Sequence, residues 1–301
     1  MDIQENVSLK GKTTMRIGGT AAYYADLSTK EDVEAAIKFA EENSVPLIIL
    51  GGGSNTIFAD GVINALVVRI TAGSVVKNNN NFTVEAAKNL PQLINELAND
   101  GFDLSPLTGI LGTVGGAVFG NAGQGPKGTW INSFVESVEV FTNGQWTMFN
   151  VQDCNFGYRE SWFKSQVSSL KSPPIIWSVT LNIPQKDPDQ IRTEIDRLLQ
   201  QRIDTQPHVK TAGSCFKAVG QTPAWQLIDA AGLRDTKEGD VHISEKHANF
   251  LINDGEATFE DAVTIVNTIK QHLAEHPYRG AIDNEIEVEM RFVKEDGTLE
   301  F

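Results

Sequence analysis

The chain has 301 residues, 41% hydrophobic and 21% charged, which suits two or three domains with their own cores. Twenty-five Lys plus Arg against 39 Asp plus Glu leave a formal net charge of −14; this argues against a nucleic-acid partner and requires any anionic small ligand to meet a local cluster of cations or backbone N–H groups. The longest nearly apolar run, residues 45–50, is far below the ~20 residues of a membrane span, the start Met1-Asp2-Ile3-Gln4-Glu5 lacks the marks of a secretory signal, and Cys154 and Cys215 form no CxxC pair, so reduced thiols in the cytoplasm are expected.

Residues 21–27 read as a strand. Thr29 then precedes Val33, Ala36, Ile37 and Ala40 at helical spacing, with Asp32 placed for a capping box. Residues 47–50 are a short apolar strand running into Gly51-Gly52-Gly53, which closes a small β-α-β unit. Residues 82–87 predict a strand, and Leu90, Leu93, Ile94 and Leu97 a helix. Residues 134–141 and 145–149 alternate about Asn143-Gly144, a hairpin signal. After a strand at 175–183, Asp187-Pro188 opens a polar helix through about Gln201. Residues 202–212 read as a domain crossing. Trp225, Leu227, Ile228 and Ala231 predict a helix ending at Gly232, and residues 248–252 a strand. Phe259, Ala262, Val266, Ile269 and Leu273 stripe a long helix that Pro277 ends, and residues 286–293 predict a final alternating strand.

Two glycine segments stand out. Gly51-Gly52-Gly53-Ser54-Asn55 follows a strand, where successive N–H groups can form an anion nest; alone it reads first as a plain turn. Gly109-Ile110-Leu111-Gly112-Thr113-Val114-Gly115-Gly116-Ala117, leading to Asn121, leaves so little side chain that either a large flat ligand fills the space or the loop is tight and buried. Three resemblances carry nothing. Gly11-Lys12-Thr13 ends like a P-loop, but Asn6 stands where its first Gly belongs. The HxxEH pattern of His272, Glu275 and His276 has no evident third ligand, so no metal is expected. No serine occupies a GxSxG elbow. Polar residues inside apolar surroundings are Arg159, Ser214 and Glu289. Glu287, Glu289 and Arg291 share one strand face, which a solvated edge would also explain, and a surface ion pair would explain Arg159.

Seven segments in order resemble the UDP-N-acetylenolpyruvoylglucosamine reductase family. They are Thr14-Met15-Arg16-Ile17-Gly18-Gly19, Leu50-Gly51-Gly52-Gly53-Ser54-Asn55, Gly109-Ile110-Leu111-Gly112-Thr113-Val114-Gly115-Gly116, Phe156-Gly157-Tyr158-Arg159, Ala212-Gly213-Ser214-Cys215-Phe216-Lys217, Ser244-Glu245-Lys246-His247-Ala248-Asn249-Phe250 and Glu289-Met290-Arg291-Phe292. The resemblance runs from about Thr13 to Val293. It implies an α+β fold: a two-part FAD-binding α/β unit of the vanillyl-alcohol oxidase-like type plus a C-terminal α+β substrate-binding domain. The parts would be residues 1–70 plus 285–301, residues 71–204, and residues 205–284. The short 161–174 connection and the lack of a tyrosine-bearing loop before Asp187 resemble the family's shorter, second type.

The resemblance further implies non-covalent FAD, NADPH as hydride donor, and the enolpyruvyl ether of UDP-N-acetylglucosamine as substrate. In that scheme hydride reaches C3 of the enolpyruvyl group while negative charge develops at C2 and its carboxylate. Arg159 and Glu289 would stabilise that charge, and Ser214 would protonate C2. Leu50, Gly51, Gly52, Gly53, Ser54, Asn55, Gly109, Gly112, Thr113, Gly115, Gly116, Ala117 and Asn121 would hold FAD; Tyr158, Arg202, Lys217 and His247 would hold substrate. Three departures from the family pattern are Leu111 for a proline, Ala86-Ala87-Lys88 for a glycine-containing turn, and Ala218 for an asparagine that contacts the substrate diphosphate. A flavin oxidase of the same superfamily and a nucleotide-sugar binder without flavin are the alternatives.

Overall fold

The computed structural model describes residues 1–125, 128–167, 172–275 and 285–301. The N-terminal third runs β1 (Gln4–Ser8), β2 (Thr20–Leu27), α1 (Lys30–Glu42), β3 (Leu47–Ile49), β4 (Thr56–Phe58) and β5 (Val62–Ile70). The expected capping box is present, with Thr29 and Asp32 each accepting from the other's backbone N–H. The sheet order is β1-β2-β5-β3, with β5 parallel to both β2 and β3. The predicted β-α-β unit is present, with β2 and β3 parallel in one sheet and joined by α1, and β5 inserted between the two strands. No predicted element corresponds to β5. Its centre, Ala65 to Val68, is wholly buried, so it shows a continuous apolar run instead of the alternation that marks a half-buried strand.

A second sheet has the order β6-β7-β10-β8-β9, from β6 (Val75–Asn78), β7 (Asn81–Glu85), β8 (Val135–Thr142), β9 (Gln145–Asn150) and β10 (Ile175–Asn182). Asn143 and Gly144 have φ of 51° and 77°, the left-handed pair of the expected hairpin turn. Helices α2 (Leu90–Asn99), α3 (Val114–Phe119), the single turn α4 (Trp162–Ser165) and α5 (Pro188–Thr205) belong to this part of the chain. The two sheets share a core in which Val33 and Ala36 of α1 meet Leu66 and Val68 of β5 and Phe141 and Trp177 of the second sheet. Helix α5 continues four residues past the predicted end. Pro207 forces Gln206 into an extended conformation (φ −128°, ψ 150°), so helix geometry survives up to Thr205 and carries Arg202 with it.

The remainder comprises α6 (Ala224–Ala230), β11 (Lys237–Glu238), β12 (Val241–Ile243), β13 (Leu251–Asn253), α7 (Phe259–Glu275) and β14 (Arg291–Val293). Two predicted strands shrink. Residues 248–250 form a turn, in which Phe250 N–H donates to His247 C=O at 3.0 Å and the Asn249 side chain pairs with both backbone groups of Phe216. The 286–293 segment bends at Met290, leaving only β14, which pairs in parallel with β4 (Arg291 opposite Thr56). The C-terminus thereby returns to the N-terminal third, and Phe292 joins Ile57, Met15 and Ile17 in the core of the C-terminal part. His276 and Pro277 lie outside the described residues, as do residues 168–171 of the 161–174 connection. Among the described residues no helix is long and apolar enough to cross a membrane.

Candidate active site

A cavity of about 1320 Å³ opens between the three parts of the molecule. Its floor is made by the two glycine segments. Gly53 has φ +68°, and a Cβ there would sit 2.1 Å from Lys12 C=O. A Cβ on Gly52 would stand 2.7 Å from Gly112 Cα, so the two segments touch backbone to backbone. Some of the glycines thus serve chain packing, as expected of a tight, buried loop. Others front open space: Gly116 lines the cavity, and a Cβ there would meet only Thr113 Oγ1 at 3.4 Å. The backbone N–H groups of residues 51–55 donate to no described group, an unusual stretch of free donors on a cavity wall.

Asn55 joins this loop to the C-terminal segment. Its Nδ2 donates to Glu289 C=O at 3.1 Å, and its C=O accepts from Arg291 N–H at 3.0 Å. Glu289 N–H in turn donates to Cys215 C=O at 2.7 Å, next to Ser214. Three segments far apart in sequence thus bring Ser214, Glu289 and Arg159 to one end of the cavity. Arg159 has φ 58°, a left-handed conformation rare for a long side chain. Its Nε pairs with Glu289 Oε1 at 2.6 Å. Its Nη2 donates to Gly123 C=O at 2.9 Å and its Nη1 to Asn121 C=O at 3.5 Å. The side chains are 14% and 16% exposed, so this is not a surface ion pair. Burial pushes the Glu289 carboxyl above the usual carboxylate range, opposed by the Arg159 guanidinium. The Ser214 hydroxyl makes no hydrogen bond to a described residue and lines the cavity.

All but four of the sequence-predicted site residues line the cavity. Arg202 does so from α5, donating to Gly109 C=O at 3.1 Å; burial and the nearby Arg159 lower its pKa. Asn121, Tyr158, Lys217 and His247 are not in the lining. Asn121 is wholly buried, and its Nδ2 donates to Gly157 C=O at 2.7 Å, so it props the segment that carries Arg159. Tyr158 accepts from Ala218 N–H at 3.2 Å and lies under the Arg159 guanidinium. Lys217 pairs with Glu160 at 2.5 Å and Glu287 at 2.8 Å. His247 packs between Trp225 and Phe250, where burial holds it below the usual imidazole range.

Of the lysines and arginines in the lining, Arg69, Lys164 and Arg291 were absent from the residues predicted from the sequence. The Lys164 ammonium donates to Arg159 C=O at 2.9 Å and Glu160 at 3.1 Å, bracing the left-handed residue. Its spacing five residues after Arg159 was a weak signal. Arg291 had been assigned to a charged strand face; it is turned into the cavity. Among the described lining residues, Arg69, Arg159, Lys164, Arg202 and Arg291 face a lone carboxylate, Glu289. Within a chain of net charge −14, the cavity is locally cationic, which suits phosphorylated ligands. The volume, the free N–H groups and the cations fit a dinucleotide cofactor with a second anionic ligand.

Comparison with known proteins follows the same line. Residues 21–147 match the family model described as FAD binding domain, and residues 205–292 match UDP-N-acetylenolpyruvoylglucosamine reductase, C-terminal domain. The UDP-N-acetylenolpyruvoylglucosamine reductase of Protochlamydia amoebophila is 32% identical, over 97% of this chain and 94% of the relative. That of Clostridium novyi is 31% identical, over 98% and 93%. The crystal structure of the reductase from Thermus caldophilus superimposes with a TM-score of 0.81 at 29% identity, covering 97% of this chain and 99% of that one.

Proposed function

This chain belongs to the UDP-N-acetylenolpyruvoylglucosamine reductase family, a family of FAD-dependent oxidoreductases, and from that premise we propose that it reduces the enolpyruvyl ether of UDP-N-acetylglucosamine to UDP-N-acetylmuramate, drawing on NADPH, in cytoplasmic peptidoglycan precursor synthesis. FAD, when bound, supplies the two-electron chemistry that links NADPH to the substrate. The observation that carries the reading is the cationic cavity lined by one carboxylate, Glu289, and by a serine, Ser214, whose hydroxyl has no hydrogen-bond partner among the described residues.

In this reading the free N–H groups of residues 51–55 hold the FAD diphosphate, and Leu50, Gly109, Gly112, Thr113, Gly115, Gly116 and Ala117 seat the rest of the cofactor. Arg159 grips the substrate carboxylate through the N–H groups its protein partners leave over. Because charge on that carboxylate grows toward the transition state, the contact lowers the barrier and not merely the KM. Glu289, whose carboxyl burial pushes above the usual carboxylate range against the pull of Arg159, holds the guanidinium in place beside the substrate carboxylate. Ser214 delivers the proton to C2, and Arg202 binds the substrate. Lys217, Tyr158 and His247 would join the substrate contacts only by leaving their present protein partners, and Asn121 acts as a positioning residue. The division into 1–70 plus 285–301, 71–204 and 205–284 is supported by the three separate sheets and the return of β14 to β4. Two buried free thiols, Cys154 and Cys215, suit a reducing compartment.

The test is spectroscopic. The protein should be yellow, bleach with NADPH under anaerobic conditions, and regain colour on adding the enolpyruvyl sugar nucleotide, with UDP-N-acetylmuramate detected by mass. A bleached protein that this substrate does not reoxidise would refute the reading.

A further inference from the structure

Residues 13–17 sit where two walls of the cavity meet. They belong to the N-terminal third, yet Met15 and Ile17 are wholly buried and pack with Ala212, Cys215 and Phe216 in the core of the C-terminal part. Met15 C=O accepts from Asn253 Nδ2 at 2.9 Å, and Thr14 N–H donates to Gly53 C=O at 3.0 Å. The backbone of Thr14 is thus fixed on both sides, and β-branching stiffens its side chain. The Thr14 hydroxyl donates to Thr211 C=O at 2.6 Å, with Gly53 C=O a more distant acceptor at 3.3 Å. Thr211 Oγ1 in turn accepts from Gly213 N–H at 3.3 Å, and Gly213 takes a left-handed φ of 80° directly before Ser214. On the other side of Ser214, Cys215 N–H donates to Asn249 C=O at 2.8 Å. Among the described residues, the Thr14 hydroxyl makes the one hydrogen bond between residues 211–214 and the N-terminal third.

We propose that Thr14 is a positioning residue for the proton donor: its hydroxyl sets the spacing between the 51–55 loop and the 211–214 segment, and so fixes where the Ser214 hydroxyl stands relative to a ligand seated on that loop. The proposal rests on the reading of Ser214 as the group that protonates C2. Thr14 is not in the cavity lining, so it acts through the two backbones and not by touching a ligand. The Ser214 hydroxyl has no side-chain anchor of its own among the described residues, so its place is set by the backbone that carries it. Proton delivery needs a heavy-atom reach of about 2.6–3.2 Å, which a drifting segment loses easily. Valine at 14 would keep the shape and the N–H bond to Gly53, but would leave the Thr211 carbonyl without its partner beside a glycine. Reduction of FAD by NADPH makes no use of Ser214 and should not sense the change.

The test combines stopped-flow half-reactions of the FAD-loaded protein with FAD affinity and amide hydrogen exchange. Thr14→Val should slow reoxidation by substrate roughly 10–100-fold, the upper figure being the cost of a misplacement of about 1 Å, while reduction by NADPH and FAD affinity stay near wild type. Thr14→Ser, which keeps the hydroxyl, should recover most of the rate. On a Ser214→Ala background Thr14→Val should slow reoxidation no further, since no donor is left to place. In the FAD-free protein, Thr14→Val should quicken exchange at residues 212–214 and leave residues 251–253 unchanged. Equal slowing of both half-reactions, an additive loss on the Ser214→Ala background, or a serine variant as slow as the valine one would make Thr14 structural only and overturn the proposal. If Thr14→Val does not fold, Thr14→Cys, whose thiol is a weak donor, carries the same expectations. A Ser214→Ala single variant that reoxidises at the wild-type rate would instead sink the reading of Ser214 itself.

Discussion

Removing Arg159 should have two separable effects. Arg159→Ala strands Glu289, which is 16% exposed, and frees the carbonyls of Asn121 and Gly123. Breaking a buried pair from one side costs about 3–5 kcal/mol; the residual exposure of both side chains favours the lower end, about 3 kcal/mol. For a chain of this size that is a fall of roughly 6 °C in Tm, at about 2 °C per kcal/mol. Turnover should fall about 10²–10³-fold through loss of one preorganised donor. Stability loss alone would not prove a catalytic role, so the decisive variant is the double one. Arg159→Ala with Glu289→Gln removes both charges, and replacing a buried pair by neutral groups is often nearly neutral. Most of the lost Tm should return while turnover stays low. Differential scanning calorimetry and single-turnover reoxidation of reduced FAD read the two effects. A double variant that regains turnover together with Tm would show that Arg159 acts on stability only.

Ser214→Ala should leave reduction of FAD by NADPH intact and slow reoxidation by substrate about 10²–10⁴-fold, with Ser214→Cys retaining more; equal loss in both half-reactions by stopped flow would contradict proton donation. Gly53→Ala should lower Tm in the apoprotein, because a left-handed alanine costs about 1–2 kcal/mol and its Cβ would sit 2.1 Å from Lys12 C=O. Gly116→Ala, whose Cβ meets only Thr113 Oγ1 at 3.4 Å, should leave apoprotein Tm nearly unchanged and weaken FAD; the reverse pattern would misassign the two glycines. Burial holds the Glu289 carboxyl above its ordinary 4.5, so the stability it adds is complete below that pH and lost as pH rises through the folded pKa. Glu289→Gln apoprotein should therefore gain Tm relative to wild type as pH goes from 4 to 8, and an opposite trend would mean that Arg159 dominates the carboxyl.

Elements with local signals were legible in the sequence. The Thr29 capping box, the Asn143-Gly144 turn and the stripe of α7 each depend on residues a few positions apart. What was not legible depends on distant partners. β5 is covered on both faces, Ala65 and Val67 packing into one core and Leu66 and Val68 into another, and so lost its alternation. The 286–293 segment alternates, yet only three residues pair as strand, because Cys215 and Asn55 claim the backbone of Glu289 and Asn55 that of Arg291. The same holds at the site. Glycine runs and isolated polar residues could be picked out, since their oddity is local. The Glu289 partner of Arg159 lies 130 residues away in sequence, and the inward turn of Arg291 exists only because β14 docks on β4.

The grip proposed for Arg159 illustrates how such a site differs from a surface cluster of the same charge. Each of its three nitrogens is already engaged, by Glu289, Asn121 and Gly123, and its carbonyl is held by Lys164. A guanidinium has five N–H donors, so donors remain for a carboxylate, and their direction is fixed before the ligand arrives. That is the condition under which a charged donor is worth more in the transition state than in water, since no reorganisation is left to do. Lysine at 159 would keep the charge but would have to hold two carbonyls, Glu289 and the ligand from a single nitrogen. The strained backbone at φ 58° is therefore the geometric cost of aiming a rigid fork, and the buried Glu289 beside it keeps that fork in place until an anionic ligand adds a second partner.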